Sequence, residues 1–197
     1  MRWDDAGQTE GVTDHENPVL YLIGCGAPPC RGLPDMVAWA QEHSWDVCVI
    51  LTPKATEFAD VELLATMTRR PVRSTYRRPE EPDVHPWPPA AIVVAPATFN
   101  TINKWAAGIS DTLALGLLNE SLGVEIPIIV VPNPNAPLAK HPAFIENVNK
   151  LRSWGVTVLH DPARYSPPRP EPGQGSPSRF PWIAVREELG KIANALT

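Results

Sequence analysis

Apolar residues follow two alternating patterns along this chain. Continuous apolar runs rich in β-branched side chains are typical of strands that are buried on both faces of a parallel sheet. Such runs lie at 19–23, 47–51, 92–94, 126–131 and 156–159. Elsewhere, apolar residues recur at intervals of three and four, which predicts amphipathic helices. The faces of these helices comprise Met36, Val37 and Ala40; Phe58, Val61, Leu64 and Met67; Phe144, Val148 and Leu151; and Val185, Leu189, Ile192 and Leu196.

Strands that alternate with helices predict a parallel sheet covered by helices on both faces. We therefore expect an α/β fold, a single three-layer Rossmann-like (flavodoxin-like) domain with a mostly parallel sheet. The 197 residues provide one ordinary hydrophobic core and too little material for two. We expect residues 1–17 to be a flexible tail, 18–160 the main domain, 161–181 a proline-rich arm, and 182–197 a helix packed on the same domain.

The stretch from 91 to 118 predicts a strand, a short polar turn and one long helix. The turn carries Thr98, Asn100 and Thr101 where a helix N-terminus leaves backbone N–H groups without helical partners. Open α/β sheets bind their ligands in such crevices, at the carboxyl ends of the strands. This stretch therefore predicts a cofactor site.

Two earlier turns follow strands in the same way. Residues 24–27, Gly-Cys-Gly-Ala, lack the full spacing of a dinucleotide fingerprint, so the glycines either approach a ligand or only permit a tight turn. Thr52 and Thr56 supply hydroxyls that either cap a helix or hold a phosphate. Because parallel connectivity brings all three turns to one edge of the sheet, we expect them to converge on one site.

Composition narrows the functional classes. A formal net charge of −5 does not favour nucleic acid or an anionic membrane surface as a partner. No apolar run approaches the roughly 18 residues that cross a bilayer. The first 17 residues contain no signal-peptide core, and the cysteines are odd in number, at Cys25, Cys30 and Cys48. Without paired or metal-binding spacing, they predict neither a disulfide nor a metal site, and we expect a cytoplasmic protein.

Two motifs resemble a known family. The segment Pro96–Thr101, PATFNT, followed by Lys104, resembles the Pro-Ala-Ser/Thr-Ala-Asn-Thr signature of the homo-oligomeric flavin-containing cysteine decarboxylases. The segment 132–135, PNPN, resembles the Pro-x-Met-Asn segment of that family. The resemblance extends from about residue 19 to 159. The family includes phosphopantothenoylcysteine decarboxylases and epidermin-type enzymes that act on a C-terminal peptidyl cysteine, with flavin prenyltransferases as relatives.

The resemblance implies that FMN is bound between subunits of a trimer, which often assembles further into a dodecamer. It also implies a set of cofactor-binding residues on the turns after three strands, namely Gly26, Ala27, Thr52, Ala97, Thr98, Asn100, Thr101 and Lys104. Residues of the first two turns would hold the phosphate, and those of the third would lie against the ribityl chain or the polar edge of the ring. Lys104 would neutralise the flavin or its phosphate, or it is an exposed helical lysine.

Two further residues are candidates for catalysis by resemblance. Asn135 resembles the family asparagine that engages the substrate carboxylate, and its alternative is a turn residue. His85 lies upstream of the central strand, where the family carries a histidine suited to accept a thiol proton. Its spacing to Pro96 is shorter than in the family, so the alternative is a surface histidine in a proline loop. Pro134 and Phe99 replace residues of the family motifs and predict a pocket of different shape.

These expectations combine into one function. We expect an FMN-binding flavoprotein that oxidatively decarboxylates a cysteine-like thiol carboxylate, either a small molecule or a peptide C-terminus. The alternatives are a non-enzymatic FMN-binding regulator and a flavin prenyltransferase-like transferase. Leucines on more than one side of the helix that follows Asn100 favour a trimer or a multiple of it.

Two segments outside the motifs bear on the substrate. The arm 161–181 is expected to be a substrate flap. It lacks the cysteine that phosphopantothenoylcysteine decarboxylases carry in this region to return hydride, so the product is expected to stop at the ene-thiol. A basic cluster either receives an acidic or phosphorylated substrate or is a solvated loop, and it comprises Arg69, Arg70, Arg73, Arg77 and Arg78.

Overall fold

The computed structural model describes residues 17–81, 84–160 and 180–196. Five parallel strands form one sheet in the order β2-β1-β3-β4-β5. The strands are β1 Val19–Gly24, β2 Asp46–Leu51, β3 Ala91–Ala97, β4 Ile128–Pro132 and β5 Thr157–Val158. This confirms the predicted parallel sheet. The structure begins β4 later than the predicted 126–131, and it shortens the predicted last strand to two residues.

Helices cover both faces of the sheet. They are α1 Leu33–Glu42, α2 Val61–Thr68, α3 Phe99–Ala106, α4 Leu113–Gly123, α5 Ala136–Ala139, α6 Pro142–Ser153 and α7 Trp182–Leu196. One core cluster joins the sheet to α3, α4 and α6, and the other joins it to α1, α2 and α7. The resulting three layers confirm the predicted α/β architecture.

Strand β1 shows why the apolar runs are continuous. All six of its residues are buried, with Tyr21 and Ile23 in the first cluster and Leu20 and Leu22 in the second. Successive side chains point to opposite faces of the sheet, and each face is covered by helices. No polar position is therefore left on this strand.

The predicted long helix after Asn100 is wrong, because the chain forms two helices there. Gly108 adopts a φ of 72°, a left-handed conformation that glycine tolerates and that ends the first helix. Thr112 then caps α4, since its Oγ1 accepts a hydrogen bond from the Leu115 N–H at 3.3 Å. The predicted helix that includes Phe58 also begins later, at Val61, where the Asp60 side chain caps α2.

The strand order positions the ligand-binding edge. Order 2-1-3-4-5 is that of the flavodoxin-like folds, in which the direction of winding reverses between the first and third strands. Strands β1 and β3 are hydrogen-bonded neighbours here, from Leu20 opposite Ala91 to Ile23 opposite Val94. The turns that follow them therefore flank the switch point, where the adjacent connections diverge.

Two predicted segments fall largely outside the described residues. These are the tail 1–17, of which residue 17 is described, and the arm 161–181, of which residues 180 and 181 are described. Among the described helices, none combines the length and the apolar character that a bilayer span requires.

Candidate functional site

Backbone hydrogen bonds bring the three predicted turns together at one edge of the sheet. The Cys25 N–H donates to the Pro96 carbonyl at 2.9 Å, which continues the pairing of β1 with β3 beyond Ile23. The Thr52 N–H donates to the Gly24 carbonyl at 2.9 Å and does the same on the β2 side. The turns are therefore fixed relative to one another by the sheet itself.

A cavity of about 420 Å³ opens between these turns. Its volume lies within the range of about 300–1,000 Å³ that is usual for small-molecule sites. Six of the predicted cofactor residues line it, namely Gly26, Thr52, Thr98, Asn100, Thr101 and Lys104. Sequence reasoning missed the other lining residues, which are Pro53, Lys54, Thr112 and Leu115.

Gly26 is held against the second turn. Its N–H donates to the Thr52 Oγ1 at 3.2 Å. A Cβ at this position would lie 2.9 Å from both the Cβ and the Cγ of Lys54 and 3.2 Å from the Lys54 carbonyl carbon. Because these atoms belong to the backbone and the base of the side chain, a larger residue would force the two turns apart.

Hydroxyl groups organise the N-terminus of α3. The Thr98 Oγ1 accepts the Thr101 N–H at 3.3 Å and lies 3.0 Å from the Thr101 Oγ1. Thr112, on the opposite wall, caps α4. Two helix N-termini thus border the same cavity, and helix N-termini attract anions through their N–H groups and dipole.

Both lysines of the cavity are paired with carboxylates. Lys104 forms an ion pair with Asp111, and its side chain is 30% exposed. Lys54 forms one with Glu57 at 2.6 Å, and both side chains are largely exposed. Exposed pairs of this kind are weak, so either lysine can exchange its partner for a ligand anion at low energetic cost.

Cys25 lies at the end of β1, beside this cavity, and is fully buried. Burial raises the pKa of its thiol, while hydrogen bonds involving the Thr101 side chain and the Thr98 backbone lower the pKa by less. Burial likewise raises the pKa of the Cys30 thiol to about 12. These thiols are therefore neutral at physiological pH, as expected of structural cysteines.

Ala27 and Ala97 are outside the lining of this cavity. Ala97 is the buried last residue of β3, and its carbonyl accepts the Asn133 N–H at 2.7 Å. Ala27 is buried and precedes a 3₁₀ turn that begins at Pro28. They support the walls of the site rather than face the ligand space.

Asn135 is exposed and caps the short helix α5, since its Oδ1 accepts the Leu138 N–H at 3.1 Å. This is the turn role given as its alternative. The cap uses only the Oδ1 of Asn135, and the NH₂ group of an asparagine side chain can donate two further hydrogen bonds. Its role toward a carboxylate stays a prediction.

His85 lies apart from the predicted cofactor cavity. It lines a second cavity of about 360 Å³, and its ring centroid is 5.9 Å from that of Tyr21. Its Nε2 lies 3.2 Å from the Pro71 carbonyl oxygen. The structure therefore does not bring the two predicted catalytic residues and the cofactor residues into one pocket, and catalysis by His85 stays a prediction.

Within the described part of the chain, no three His, Cys, Asp or Glu side chains are grouped to hold a metal ion. Among lining residues that sequence reasoning missed, Thr112 had a recognisable signal. A threonine after a glycine-containing break and before an apolar run is typical of a helix N-cap.

Comparison with known proteins gives the family. The model of the flavoprotein family matches residues 12–180. The bifunctional coenzyme A biosynthesis protein CoaBC of Mycobacterium tuberculosis (strain ATCC 25618 / H37Rv) is 34% identical over 153 residues, which cover 75% of this chain and 36% of that protein. The chain therefore spans about a third of the length of this curated relative.

Solved structures agree with the observed fold. The FMN-dependent cysteine decarboxylase TvaF from thioviridamide biosynthesis is 26% identical with a TM-score of 0.58, over 75% of this chain and 91% of that one. A mutant of PPC decarboxylase is 18% identical with a TM-score of 0.66, over 89% of this chain and 99% of that one. The motif at Pro96–Thr101, the switch-point cavity and the match over most of the sequence lead to one conclusion: the chain belongs to the flavoprotein family.

Proposed function

We propose that the chain binds FMN, without a covalent link, in the cavity at the switch point. The observation that carries this proposal is the convergence of three strand-end turns on one cavity bordered by two helix N-termini. The residues fit the group, because FMN combines a phosphate, a hydroxylated chain and a flat ring. Hydroxyl, amide and backbone N–H donors suit the first two, and the apolar side chain of Leu115 suits the third.

The turns divide the binding work. Gly26 and Thr52 would hold the phosphate, since both line the cavity and the lack of a Cβ at Gly26 lets the two turns pack together beside it. Thr98, Asn100 and Thr101 would hold the ribityl hydroxyls or the polar ring edge. Lys104 would add charge neutralisation by exchanging Asp111 for the cofactor.

We further propose that the protein is a decarboxylase of a thiol-bearing, cysteine-like carboxylate. The names of the similar TvaF and PPC decarboxylase support this reaction class. FMN, when bound, would supply a hydride acceptor for oxidation of the carbon that bears sulfur to a thioaldehyde, whose C=S group could accept the electron pair when carbon dioxide leaves. The chain itself has to bind and orient the substrate and accept the thiol proton.

Two residues remain candidates for these tasks. Asn135, exposed near the end of β4, would hold the carboxylate as a neutral donor until carbon dioxide leaves. His85 would accept the thiol proton, since an imidazole titrates near neutral pH. Because His85 lines the second cavity, this role holds only if the thiol end of the substrate, rather than its remote end, reaches that cavity.

Anaerobic mixing of the FMN-loaded protein with substrate tests the reaction. Cysteine-terminated peptides and phosphopantothenoylcysteine are mixed separately while the visible flavin absorption and carbon dioxide release are followed. Bleaching with stoichiometric carbon dioxide supports the enzyme, and the organic product should be the ene-thiol, lighter than the saturated aminothiol by one H₂. Tight FMN binding without bleaching by either substrate would contradict the decarboxylase and favour a regulator. A modified flavin formed from a prenyl phosphate would identify a transferase instead.

We also propose that the chain assembles as a trimer or a multiple of one. The leucines from which the sequence predicted a trimer do not form an exposed apolar surface for subunit contacts. Leu115 and Leu118 are buried, and Leu113 and Leu117 line the second cavity. Support comes from Ile109 and Val124, which flank α4 and are 43% and 57% exposed. Light scattering that finds a stable FMN-bound monomer would overturn this proposal.

A further inference from the structure

The second cavity combines charged and aromatic side chains in a way the cofactor site does not use. Its volume is about 360 Å³, and none of its lining residues belongs to the lining of the switch-point cavity. The lining residues are Tyr21, Arg73, Tyr76, Arg77, His85, Trp87, Leu113, Leu117 and Glu120. We call it the arginine–aromatic cavity.

The loop that forms one wall is firmly attached to the domain. Arg70 binds the Asp46 carboxylate with two hydrogen bonds of 3.2 and 2.6 Å, and its Nη1 donates to the Val84 carbonyl at 3.2 Å. The Tyr21 hydroxyl, from the centre of β1, donates to the Pro86 carbonyl at 2.6 Å. The described parts of this loop are therefore anchored to the sheet at both ends of the cavity.

A third attachment fixes the loop to α4. The Tyr76 hydroxyl donates to the carbonyls of Thr112 at 3.1 Å and Ser110 at 3.3 Å. It occupies a notch at Gly116, where any Cβ would overlap the tyrosine oxygen. Because three anchors hold the wall, the cavity has a defined shape rather than that of a solvated loop.

The chemistry of the lining favours an anion carried on an apolar group. Two guanidinium groups, Arg73 and Arg77, face the cavity together with one carboxylate, Glu120. The Arg73 side chain is only 14% exposed, yet its nearest carboxylate oxygen, from Glu81, is 3.7 Å away and beyond hydrogen-bonding distance. A largely buried guanidinium is stabilised by a close, bidentate acid group, and this long contact does not supply one.

Apolar and aromatic groups complete the lining. Trp87 is 45% exposed and, like Tyr21, contributes an aromatic ring to the lining, while Leu113 and Leu117 contribute aliphatic side chains. Partial exposure of a tryptophan at a cavity mouth is typical of a binding surface. The cavity is thus amphipathic, because its lining combines arginine side chains with aromatic and aliphatic ones.

The two cavities lie on opposite sides of one short wall. Thr112 and Leu115 line the switch-point cavity, whereas Leu113 and Leu117, one or two positions away on α4, line the other. The hydrogen bond from Tyr76 to the Thr112 carbonyl crosses the same wall. Because both cavities border the start of α4, a substrate long enough to pass around this end of the helix would reach both.

We propose that the arginine–aromatic cavity binds a phosphate or carboxylate at the end of the substrate remote from its reacting cysteine. The acid group pairs with Arg73, assisted by Arg77, and the apolar part of the chain lies along Trp87 and Leu117. In this assignment His85 lies near the remote acid group and does not accept the thiol proton. This assignment rests on the proposed function for the identity of the ligand, but the cavity's affinity for such anions can be measured without any reaction.

Calorimetry with phenyl phosphate on the full-length, FMN-loaded protein provides that measurement. Phenyl phosphate should bind more tightly than either phenol or inorganic phosphate, because only it uses both the arginine and the apolar side chains. Arg73→Gln should weaken phenyl phosphate binding about 10-fold or more, which corresponds to about 1.4 kcal/mol. The variant keeps the hydrogen bond from the Leu51 N–H to the backbone carbonyl of residue 73.

Arg78→Gln is the matched control, since it makes the same charge change in the same loop but does not line the cavity. It should leave the affinity unchanged. If thermal melting shows that Arg73→Gln folds poorly, Trp87→Ala provides a second test. This variant should lower the affinity for phenyl phosphate and leave the affinity for inorganic phosphate unchanged. Absence of phenyl phosphate binding, or equal binding by Arg73→Gln and wild type, overturns the proposal.

Substrate kinetics then identify the source of the anion. Cysteine conjugates with a remote phosphate are compared with cysteine-terminated peptides that carry an upstream glutamate, each against its uncharged analogue. Arg73→Gln should raise KM about 10-fold, with kcat unchanged, for whichever anionic substrate uses the cavity, and should not affect the uncharged analogue. Equal effects on charged and uncharged substrates contradict the assignment. If no substrate reacts at all, the decarboxylase proposal fails while the calorimetric result still stands.

Discussion

The two cavities of this protein are built in different ways. The switch-point cavity is formed by turns that follow strands β1, β2 and β3, so each wall is an extension of the sheet. The arginine–aromatic cavity is formed by a long loop folded onto α4. The first is the property of a fold that many proteins share, whereas the second depends on long-range side-chain contacts of a loop.

This difference in construction suits the two cavities to different tasks, cofactor binding in the first and substrate selection in the second. A cavity at the switch point binds a cofactor in many doubly wound sheets, because strand ends and helix N-termini always meet there. A cavity formed by a loop can differ more readily between proteins of one fold and is suited to selecting a substrate. We expect substitutions in the two regions to affect cofactor binding and substrate binding separately.

The largest expected effect is on FMN affinity when Gly26 is enlarged. Gly26→Ala places a Cβ 2.9 Å from the Lys54 Cβ, so the first two turns must separate. The dissociation constant for FMN should rise about 10- to 100-fold, or about 1.4–2.8 kcal/mol. Flavin fluorescence titration measures it. Gly123→Ala is the control, because a Cβ there meets nothing within 4 Å. Equal affinities of Gly26→Ala and wild type would place the phosphate elsewhere.

A smaller effect is expected at the second cavity from Gly116→Ala. The new Cβ displaces the Tyr76 hydroxyl from its notch and releases the loop from α4. Phenyl phosphate affinity should fall about 10-fold, or about 1.4 kcal/mol, while FMN affinity changes by less. Gly123→Ala, on the same helix, again serves as the control. A larger loss of FMN than of phenyl phosphate would show that the two cavities do not act separately.

Removal of a helix cap tests whether Thr98 has a role beyond stability. Thr98→Val and Asp60→Ala each remove an N-cap, from α3 and α2, and should lower the free energy of unfolding by about 1 kcal/mol. Only Thr98→Val should also weaken FMN binding, because Asp60 lies outside both cavity linings. Urea unfolding and flavin titration measure the two effects. If both variants bind FMN as well as wild type does, Thr98 is only a cap.

The smallest effect concerns alkaline stability and should be equal in the two regions. Burial raises the pKa of two thiols to about 12 each. One is Cys30, in the turn that follows β1, and the other is Cys48, paired in the sheet with Tyr21 of the second cavity. Above the unfolded thiol pKa of about 8.5 the unfolded state loses protons and the folded state does not, so stability is full below that pH and falls above it.

Between pH about 8.5 and 9.5, each thiol should cost up to about 1 kcal/mol of unfolding free energy. Cys30→Ala and Cys48→Ala should each flatten this decline by a similar amount in urea titrations. If the free energy of unfolding falls with pH equally steeply in both variants and in the wild type, groups other than these thiols cause the fall.

The predictable part of the structure is the part that local patterns determine. The strand at Ala91–Ala97 ends in a polar turn that begins α3, and six residues predicted from such turns line one cavity. Parallel connectivity explains why the turns converge, since it brings every strand end to the same edge, whereas the individual residues, Lys104 included, were identified through the resemblance to the cysteine decarboxylases. The helix break at Gly108 was also readable, because a glycine and a capping threonine stand between the two apolar segments.

The second cavity was not readable from sequence. It depends on Tyr76 reaching the Gly116 notch and on Tyr21 bonding to the Pro86 carbonyl, both contacts between residues distant in the chain. The same loop returns to the start of the sheet, where the Ala90 N–H donates to the Val19 carbonyl at 2.8 Å. That path carries His85 away from the predicted cofactor residues, which spacing to Pro96 alone does not reveal.

A crystal structure of the chain with FMN tests the central claim most directly. We predict that the FMN phosphate contacts the turns at Gly26 and Thr52 and that the ribityl chain passes Thr98 and Asn100. The arginine–aromatic cavity should then remain available to a substrate anion. A phosphate bound between Arg73 and Arg77 would contradict the account, because the cofactor would then occupy the cavity assigned to the substrate.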